Sequence, residues 1–343
     1  MKPIKPFIVL VAILFVVILM IPTLLVIPFS EEKASGKLEE APKSNPESLS
    51  VSTEPAVEVA VYRANMGNTV DIPLEEYVIG VLASEMPASF ELEALKAQAL
   101  AARTYVVRQM LSEQKVGVPK GTNADVTDTT SHQVYKSKEE LKNEMKEDYD
   151  WKMEKLIKAV TETKGQILTY DGAPIDASFF STSNGYTENS EDYWKNPYPY
   201  LKSVPSPWDK NSKEFHGQIT MSVKDFEQRL GVKIGDSKEI GKIIERTSSN
   251  RVATVEIGGK TFSGKEIREK YLDLRSSDFS WERKGDHIII DTKGYGHGVG
   301  MSQYGADGMA KEGKSYKDIV TYYYQGVQIS SATDFLNKIT AKK

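Results

Sequence analysis

A chain of 343 residues, 40% hydrophobic and 27% charged, has ample material for one large or two ordinary domains. Its formal net charge of −4 offers no clustered basic footprint for nucleic acid. With no cysteine, disulfides, thiolate metal sites and cysteine nucleophiles are excluded, and His132, His216, His287 and His297 show no HExxH or paired spacing for zinc.

Residues 7–29 read "FIVLVAILFVVILMIPTLLVIPF", without a charge and with Thr23 as the one polar side chain. Roughly 20 apolar residues span a bilayer as a helix, so this run predicts a transmembrane anchor. A cleaved signal would be shorter, about 7–15 apolar residues before a small-residue cleavage site. Lys2 and Lys5 precede the run, which places residues 1–6 in the cytoplasm and the bulk of the chain outside. Residues 30–57 are rich in Ser, Glu, Lys and Pro and read as a flexible linker.

Structure is expected to begin with an alternating strand, a turn at Met66-Gly67-Asn68 and a second strand. Pro73 opens a helix over 73–86, and Ser89 offers an N-cap for a long alanine-rich helix over about 90–112. Residues 113–149 look irregular and then charged. A helix near 151–163 leads to the strand "GQILTY", a turn at Asp171-Gly172 and the strand "IDASFFSTS". The segment 187–210 reads as an aromatic, Pro-rich loop. In a smaller mixed lobe, about 211–285, "VATVEIGGKTFSG" predicts a hairpin around Gly258-Gly259, and Ser263 with Glu266 a capping box. The strand "HIIID" precedes a glycine-rich stretch, Ser315 with Asp318 opens a last helix, and 329–343 is left as a tail. Strands and helices mix without strict alternation, so the fold class is α+β rather than doubly wound.

Three groups of residues carry possible chemistry. In "VLASEMP" Glu85 falls on the apolar face of Leu74, Val78, Val81 and Leu82, at the end of its helix. Burial and the helix C-terminus would both raise its pKa, suiting it to protonate a leaving oxygen. The plainer reading pairs it with Arg103, which would lower the pKa instead. In "GYGHGVGMSQYGADG" the glycines 294, 296, 298 and 300 alternate, a poor match to a phosphate loop but suited to close approach of a ligand or another strand. His297, Ser302, Gln303 and Tyr304 would then offer hydrogen bonds to sugar hydroxyls, unless the stretch is a tight turn with a core histidine. In "FFSTSNGYTENSEDYW" Ser181, Ser183, Asn184 and Thr187 cluster near a strand end. Tyr193, Trp194, Tyr198, Tyr200 and Trp208 follow, either as sugar-stacking platforms or as a small satellite core. Glu188, Glu191 and Asp192 are candidate second carboxylates, and no G-x-S-x-G elbow is present.

The segments "EEYVIGVLASEMPASFELEALKAQALAARTY", "DTTSHQVY", "STSNGYTE", "LDLRSSDF" and "GYGHGVGMSQYGA", in this order, resemble the motifs of the stage II sporulation protein D family over residues 57–328. The resemblance implies a peptidoglycan lytic transglycosylase acting in engulfment, anchored in the mother-cell membrane with its domain (58–328) outside. It implies partners as well: peptidoglycan glycan strands, a sporulation amidase (stage II sporulation protein P) and a multi-pass membrane protein (stage II sporulation protein M). The family's catalytic glutamate falls on Glu85, its A-A-R-T-Y arginine on Arg103 and its G-H-G-V-G-M-S-Q-Y-G motif on His297 to Gly305; Arg103, Ser181, Ser183, Thr187, Tyr198, His297, Ser302, Gln303 and Tyr304 are expected to face substrate. Two departures stand out: Asn184-Gly185 replaces a common Gly-Gly. The cysteines that let some members hold zinc beside the D-T-T histidine are missing, so no metal is assigned to His132 and no cofactor is expected. Rival readings are a non-catalytic amidase activator, a glycan-binding scaffold, and a two-carboxylate hydrolase using Glu191 or Asp192.

Overall fold

A computed structural model describes residues 57–342, apart from 195, 237 and 238. The expected anchor over 7–29, its cytoplasmic stub and nearly all of the linker lie outside the described residues. Among the described residues no helix is long and apolar enough to cross a membrane. The architecture is mixed α+β, with short sheets set around one enclosed helix.

Strands β1 (Glu58–Arg63) and β2 (Asn68–Pro73) form an antiparallel hairpin, and β3 (Val126–Thr127) adds in parallel to β1. Helix α1 (Leu74–Glu85) follows directly, and α2 (Leu92–Leu111) lies at the centre. Ala94, Ala97, Ala99, Ala101 and Ala102 are all fully buried on α2, along with Leu95, Leu100 and Val106. A helix apolar on every side must be covered on every side, and its small residues let the neighbouring elements approach closely. The helix starts two residues later than Ser89 would place it. Phe90 N donates to Pro87 O in a turn, and the Asp307 carboxylate, not a serine, accepts from Glu91 N at 2.8 Å.

Helix α3 (Lys138–Met145) occupies a stretch expected to be irregular, and it begins with a complete capping box, Ser137 with Glu140. Helix α4 (Tyr149–Glu162) then leads to β4 (Gln166–Tyr170) and β5 (Ala173–Pro174), through a turn where Asp171 and Gly172 both have positive φ. The expected strand "IDASFFSTS" shrinks to β6 (Phe179–Phe180). Residues 190–193 form a single helical turn, α5 (Ser190–Tyr193).

A second apolar core gathers Phe226, Leu230, Val255, Ile257, Ile267, Phe279, Ile288 and Ile290. It is enclosed by β7 (His216–Ser222), α6 (Val223–Leu230), β8 (Lys242–Arg246), β9 (Val252–Ile257), β10 (Lys260–Ser263), β11 (Phe279–Lys284) and β12 (His287–Lys293). The β9–β10 hairpin turns at Gly258-Gly259 with both φ positive, and Ser263 and Glu266 exchange both capping bonds. Beyond β13 (Met301–Ser302), α7 (Gln303–Lys311) and α8 (Tyr316–Tyr323), the expected tail is built into the body. Strand β14 (Gln328–Ser331) pairs with β4, and α9 (Thr333–Lys342) buries Leu336 and Ile339 against the main core.

The alternating glycines form a backbone crossing. Residues 294–300 run against 178–188, with bridges Thr182 to Tyr295 and Glu188 to Val299, and β13 continues in parallel with β6. All four glycines have positive φ, from 81° to 116°. A Cβ at Gly294 would lie 2.7 Å from Thr182 O, and one at Gly300 2.0 Å from Ser178 O. The close partner is thus protein backbone, not a ligand. Gly300→Ala combines forbidden φ with a backbone clash, so a loss of about 3 kcal/mol or more is expected from urea denaturation. A loss below about 1 kcal/mol would show that the crossing can relax.

Candidate active site

Glu85 is the last residue of α1, and the chain beside it is positioned by Gly80, one turn earlier. A Cβ there would strike Tyr135 Cε2 at 2.4 Å and Lys136 O at 2.5 Å. Residues 133–136 therefore lie flat on α1, with Tyr135 stacked on the buried Tyr77 at 5.4 Å. Arg63 fixes the same segment, bonding Asp128 and Glu140 while its guanidinium lies 5.1 Å from the Tyr135 ring centroid. As a result Val134 N donates to Glu85 Oε1 at 2.9 Å. Among the described residues Oε2 has no hydrogen-bond partner.

A cavity of about 230 Å³ opens at this carboxyl, lined by Glu85, Tyr105, Thr130, His132, Gln133, Val134, Ala177, Ser178, Phe179 and His297. Burial raises the Glu85 pKa above the ordinary carboxylate range, and the Val134 N–H only partly opposes it. Among the described residues that line the cavity there is no lysine or arginine to reverse that shift. His297 is held neutral, its pKa pushed down to about 3 by burial and then by the positive charges of Arg268, Arg251 and Lys265. Its Nδ1 accepts from Val299 N at 3.1 Å, and Phe180, Tyr193 and Trp194 ring it at 5.4–5.7 Å. Burial also lowers the pKa of His132, whose Nδ1 accepts from Thr127 N at 3.3 Å. Two neutral imidazoles and one poorly solvated acid keep a proton on Glu85 to higher pH than a free glutamate would.

The other expected site residues divide sharply. Gln303 reaches the site from behind: Nε2 donates to the Glu85 carbonyl at 3.0 Å, offsetting the partial negative charge of the helix end. Arg103 does not face substrate, and it does not touch Glu85. Its side chain is fully buried, forked onto Glu75 at 2.6 and 3.0 Å, with Val160 O, Gln166 O and, at a long 3.5 Å, Thr163 Oγ1 accepting its remaining hydrogens. That set fills a buried guanidinium, which explains its place on the enclosed middle of the helix. Ser183 and Ser302 are buried donors to Asp209, at 2.7 and 2.6 Å, joined there by Ser206, which also bonds Tyr323 OH. Thr187 is buried and bonds Val204 N at 2.8 Å. None of these three is available to a ligand.

Ser181 offers its carbonyl to Tyr304 N and Ser302 Oγ, and Tyr304 packs edge-on against Phe90. Tyr198 stacks on Tyr200, and Trp208 packs on Tyr322, so the aromatic loop is largely a satellite core. Asn184 ties the two cores together, donating to Ser249 O at 2.8 Å and Asp278 at 2.9 Å. Of the candidate second carboxylates, Glu188 is buried and accepts from Thr247 and Ser249, Glu191 pairs with Lys202, and Asp192 accepts from Asn189. Glu85 is the one carboxylate among the described residues lining the cavity. Tyr105, Gln133, Ser178 and Asp209 were not singled out by sequence. Tyr105 had a signal, a phenol on an otherwise alanine- and valine-rich helix face.

A mixed α+β chain with one desolvated acid facing a polar cavity defines a single-acid site. A family model described as "Stage II sporulation protein" matches residues 62–170. The chain is 54% identical over 350 residues to stage II sporulation protein D of Bacillus subtilis, covering 99% of this chain and 100% of that protein. It is 52% identical to the protein of the same name from Bacillus amyloliquefaciens, over 346 residues and with the same coverage. An amidase enhancer of Bacillus subtilis is 30% identical over 305 residues, 74% of this chain and 40% of that protein. The chain belongs to the stage II sporulation protein D family.

Glu85→Gln keeps the acceptor for Val134 N and removes the burial of a charge. A carboxyl with a raised folded pKa leaves stability intact below the ordinary glutamate range and drains it as pH rises through the folded pKa. The variant should therefore melt above wild type at pH 8 and alongside it at pH 4, by calorimetry. Equal melting at both pH values would mean that Glu85 is not desolvated.

Proposed function

We propose that this protein is a membrane-anchored lytic transglycosylase. It cleaves the bond between N-acetylmuramic acid and N-acetylglucosamine in peptide-stripped peptidoglycan strands, during engulfment in endospore formation. The observation that carries the reading is the solitary Glu85 carboxyl, desolvated and with Oε2 free, in a cavity with no other carboxylate in its lining. The apolar run at 7–29 supports the anchor and an extracytoplasmic domain. The amidase and the multi-pass membrane protein implied by the family resemblance complete the proposed assembly.

In this mechanism protonated Glu85 gives its proton to the oxygen leaving C1 of the muramic acid. The resulting carboxylate then takes the proton from that sugar's C6 hydroxyl, and O6 closes on C1. The C1–O bond to the next sugar breaks, a C1–O6 bond forms, and Glu85 ends protonated as it began. No water enters, so the second carboxylate of hydrolytic glycosidases has no task. Acid–base assistance of this kind is worth about 10²–10⁴-fold, the remainder falling to strand binding and distortion. The neutral states of His132 and His297 matter here, because a cation beside Glu85 would hold it ionised and idle.

The test uses the full-length chain in detergent with peptide-stripped glycan, and mass spectrometry of the products. Wild type should yield anhydro ends, one water lighter than reducing ends, with kcat/KM falling as pH rises through the Glu85 pKa. Glu85→Gln should abolish that product. Reducing ends would indicate a hydrolase. Undiminished cleavage by Glu85→Gln would show that Glu85 is not the acid, and no cleavage by wild type would favour amidase activation, the reading that similarity to the amidase enhancer supports.

A further inference from the structure

Two arginines on α2 are built in opposite ways. Arg103 is fully buried with its donors filled, as described above. Arg108 lies five residues on, at the C-terminal end of the helix, with a third of its side chain exposed (33%). A guanidinium carries five N–H donors, yet the acceptors here are few and distant. Nη2 donates to Tyr198 OH at a long 3.5 Å, the phenol of Tyr200 is a further hydrogen-bonding neighbour, and Nη1, which is buried, has no hydrogen-bond partner, so the exposed third of the side chain is what a ligand could reach. Its nearest carboxylate, Asp176 Oδ2, is 3.7 Å from Nη1, an ion-pair distance too long for a hydrogen bond. Asp176 is itself occupied, accepting from Ser178 Oγ at 2.7 Å through Oδ1. The Tyr198 ring, its centroid 5.6 Å away, holds the guanidinium plane in place. Half-buried charged groups are normally hydrogen-bonded, and this one is held in place with unused donors.

Its position says what it could bind. Tyr105 lines the cavity of Glu85, and Arg108 is three residues later on the same helix face, about one turn along. Ser178, also in the cavity lining, is the residue bonded to Asp176. Arg108 is not itself in that lining, but two links connect it to residues that are, one along the helix to Tyr105 and one through Asp176 to Ser178. We propose that Arg108 is a specificity residue that binds the free lactyl carboxylate of a muramic acid seated beside Glu85. The proposal rests on the transglycosylase reading for its substrate. A peptide-bearing muramic acid has that carboxyl locked in an amide and offers no charge at this point, whereas a stripped one does, and planar guanidinium–carboxylate pairing would tell them apart.

Binding is measured on the full-length Glu85→Gln chain in detergent, so that cleavage does not intervene. Three glycans are titrated calorimetrically: peptide-stripped, stripped with the lactyl carboxyls converted to methylamides, and peptide-bearing. The stripped glycan should bind more tightly than either other form by about tenfold, the value of one charge-assisted pair. Adding Arg108→Gln should collapse that preference to near parity, and Arg108→Lys should keep part of it. The proposal is overturned if the parent shows no preference, if no glycan binds, if Arg108→Gln keeps the preference, or if peptide-bearing glycan binds as tightly as stripped. Wild type that makes no anhydro product would defeat the transglycosylase reading and leave this binding comparison intact.

Discussion

Everything at the site hangs on the close crossing of residues 294–300 over 178–188. The approach is possible because Gly294, Gly296 and Gly300 lack a Cβ against this segment, while Gly298 makes room for the Arg251 side chain, and all four adopt φ values that other residues avoid. From that crossing His297 and Phe179 reach the cavity wall, and the chain leaves directly into β13 and α7. Ser302 at the start of α7 then meets Asp209, while Gln303 beside it meets the end of α1. Asp209 is the second anchor. Fully buried, its carboxyl is raised by burial and held by three serine hydroxyls from separate segments, so each segment depends on the others.

The acid itself is placed by a different pair of elements. Gly80 lets residues 133–136 lie on α1, and the same contact that delivers Val134 N to Glu85 also shields the carboxyl from water. These effects oppose each other: one N–H stabilises the charged form, while desolvation penalises it more. Gln303 removes part of the helix-end charge by bonding the Glu85 carbonyl rather than its side chain. The outcome is a carboxyl oriented through one oxygen with the other unbonded, in a cavity whose imidazoles carry no positive charge. A carboxyl in such surroundings suits the general-acid role proposed for it.

Much of this was legible in the chain. The position of Glu85 on an apolar face at a helix end, the capping boxes at Ser263 and Ser315, and the Gly258-Gly259 hairpin all follow from local rules, because each is decided within about four residues. The capping box at Ser137 carried the same signal, masked by the surrounding charge. What failed was the use of the polar side chains. Ser183, Thr187 and Ser302 look like sugar-binding hydroxyls in sequence, and in the fold they are buried donors within the protein. Arg103 looks like a substrate arginine until Glu75, 28 positions away, closes over it. Such assignments depend on long-range partners, which periodicity and spacing do not encode. The same limit explains why Tyr105 and Arg108, on a helix read as plain core, were passed over.

The central claim is that burial holds a proton on Glu85 beyond the pH at which an exposed glutamate has lost it. Carbon-detected NMR of the side-chain carboxyls, with Glu85 assigned by its disappearance in Glu85→Gln, measures this directly as pH is raised. The account predicts a titration midpoint clearly above the ordinary glutamate value of about 4.3. A midpoint at or below that value would show an ionised, well-stabilised carboxylate and would contradict the proposed role of Glu85 as proton donor.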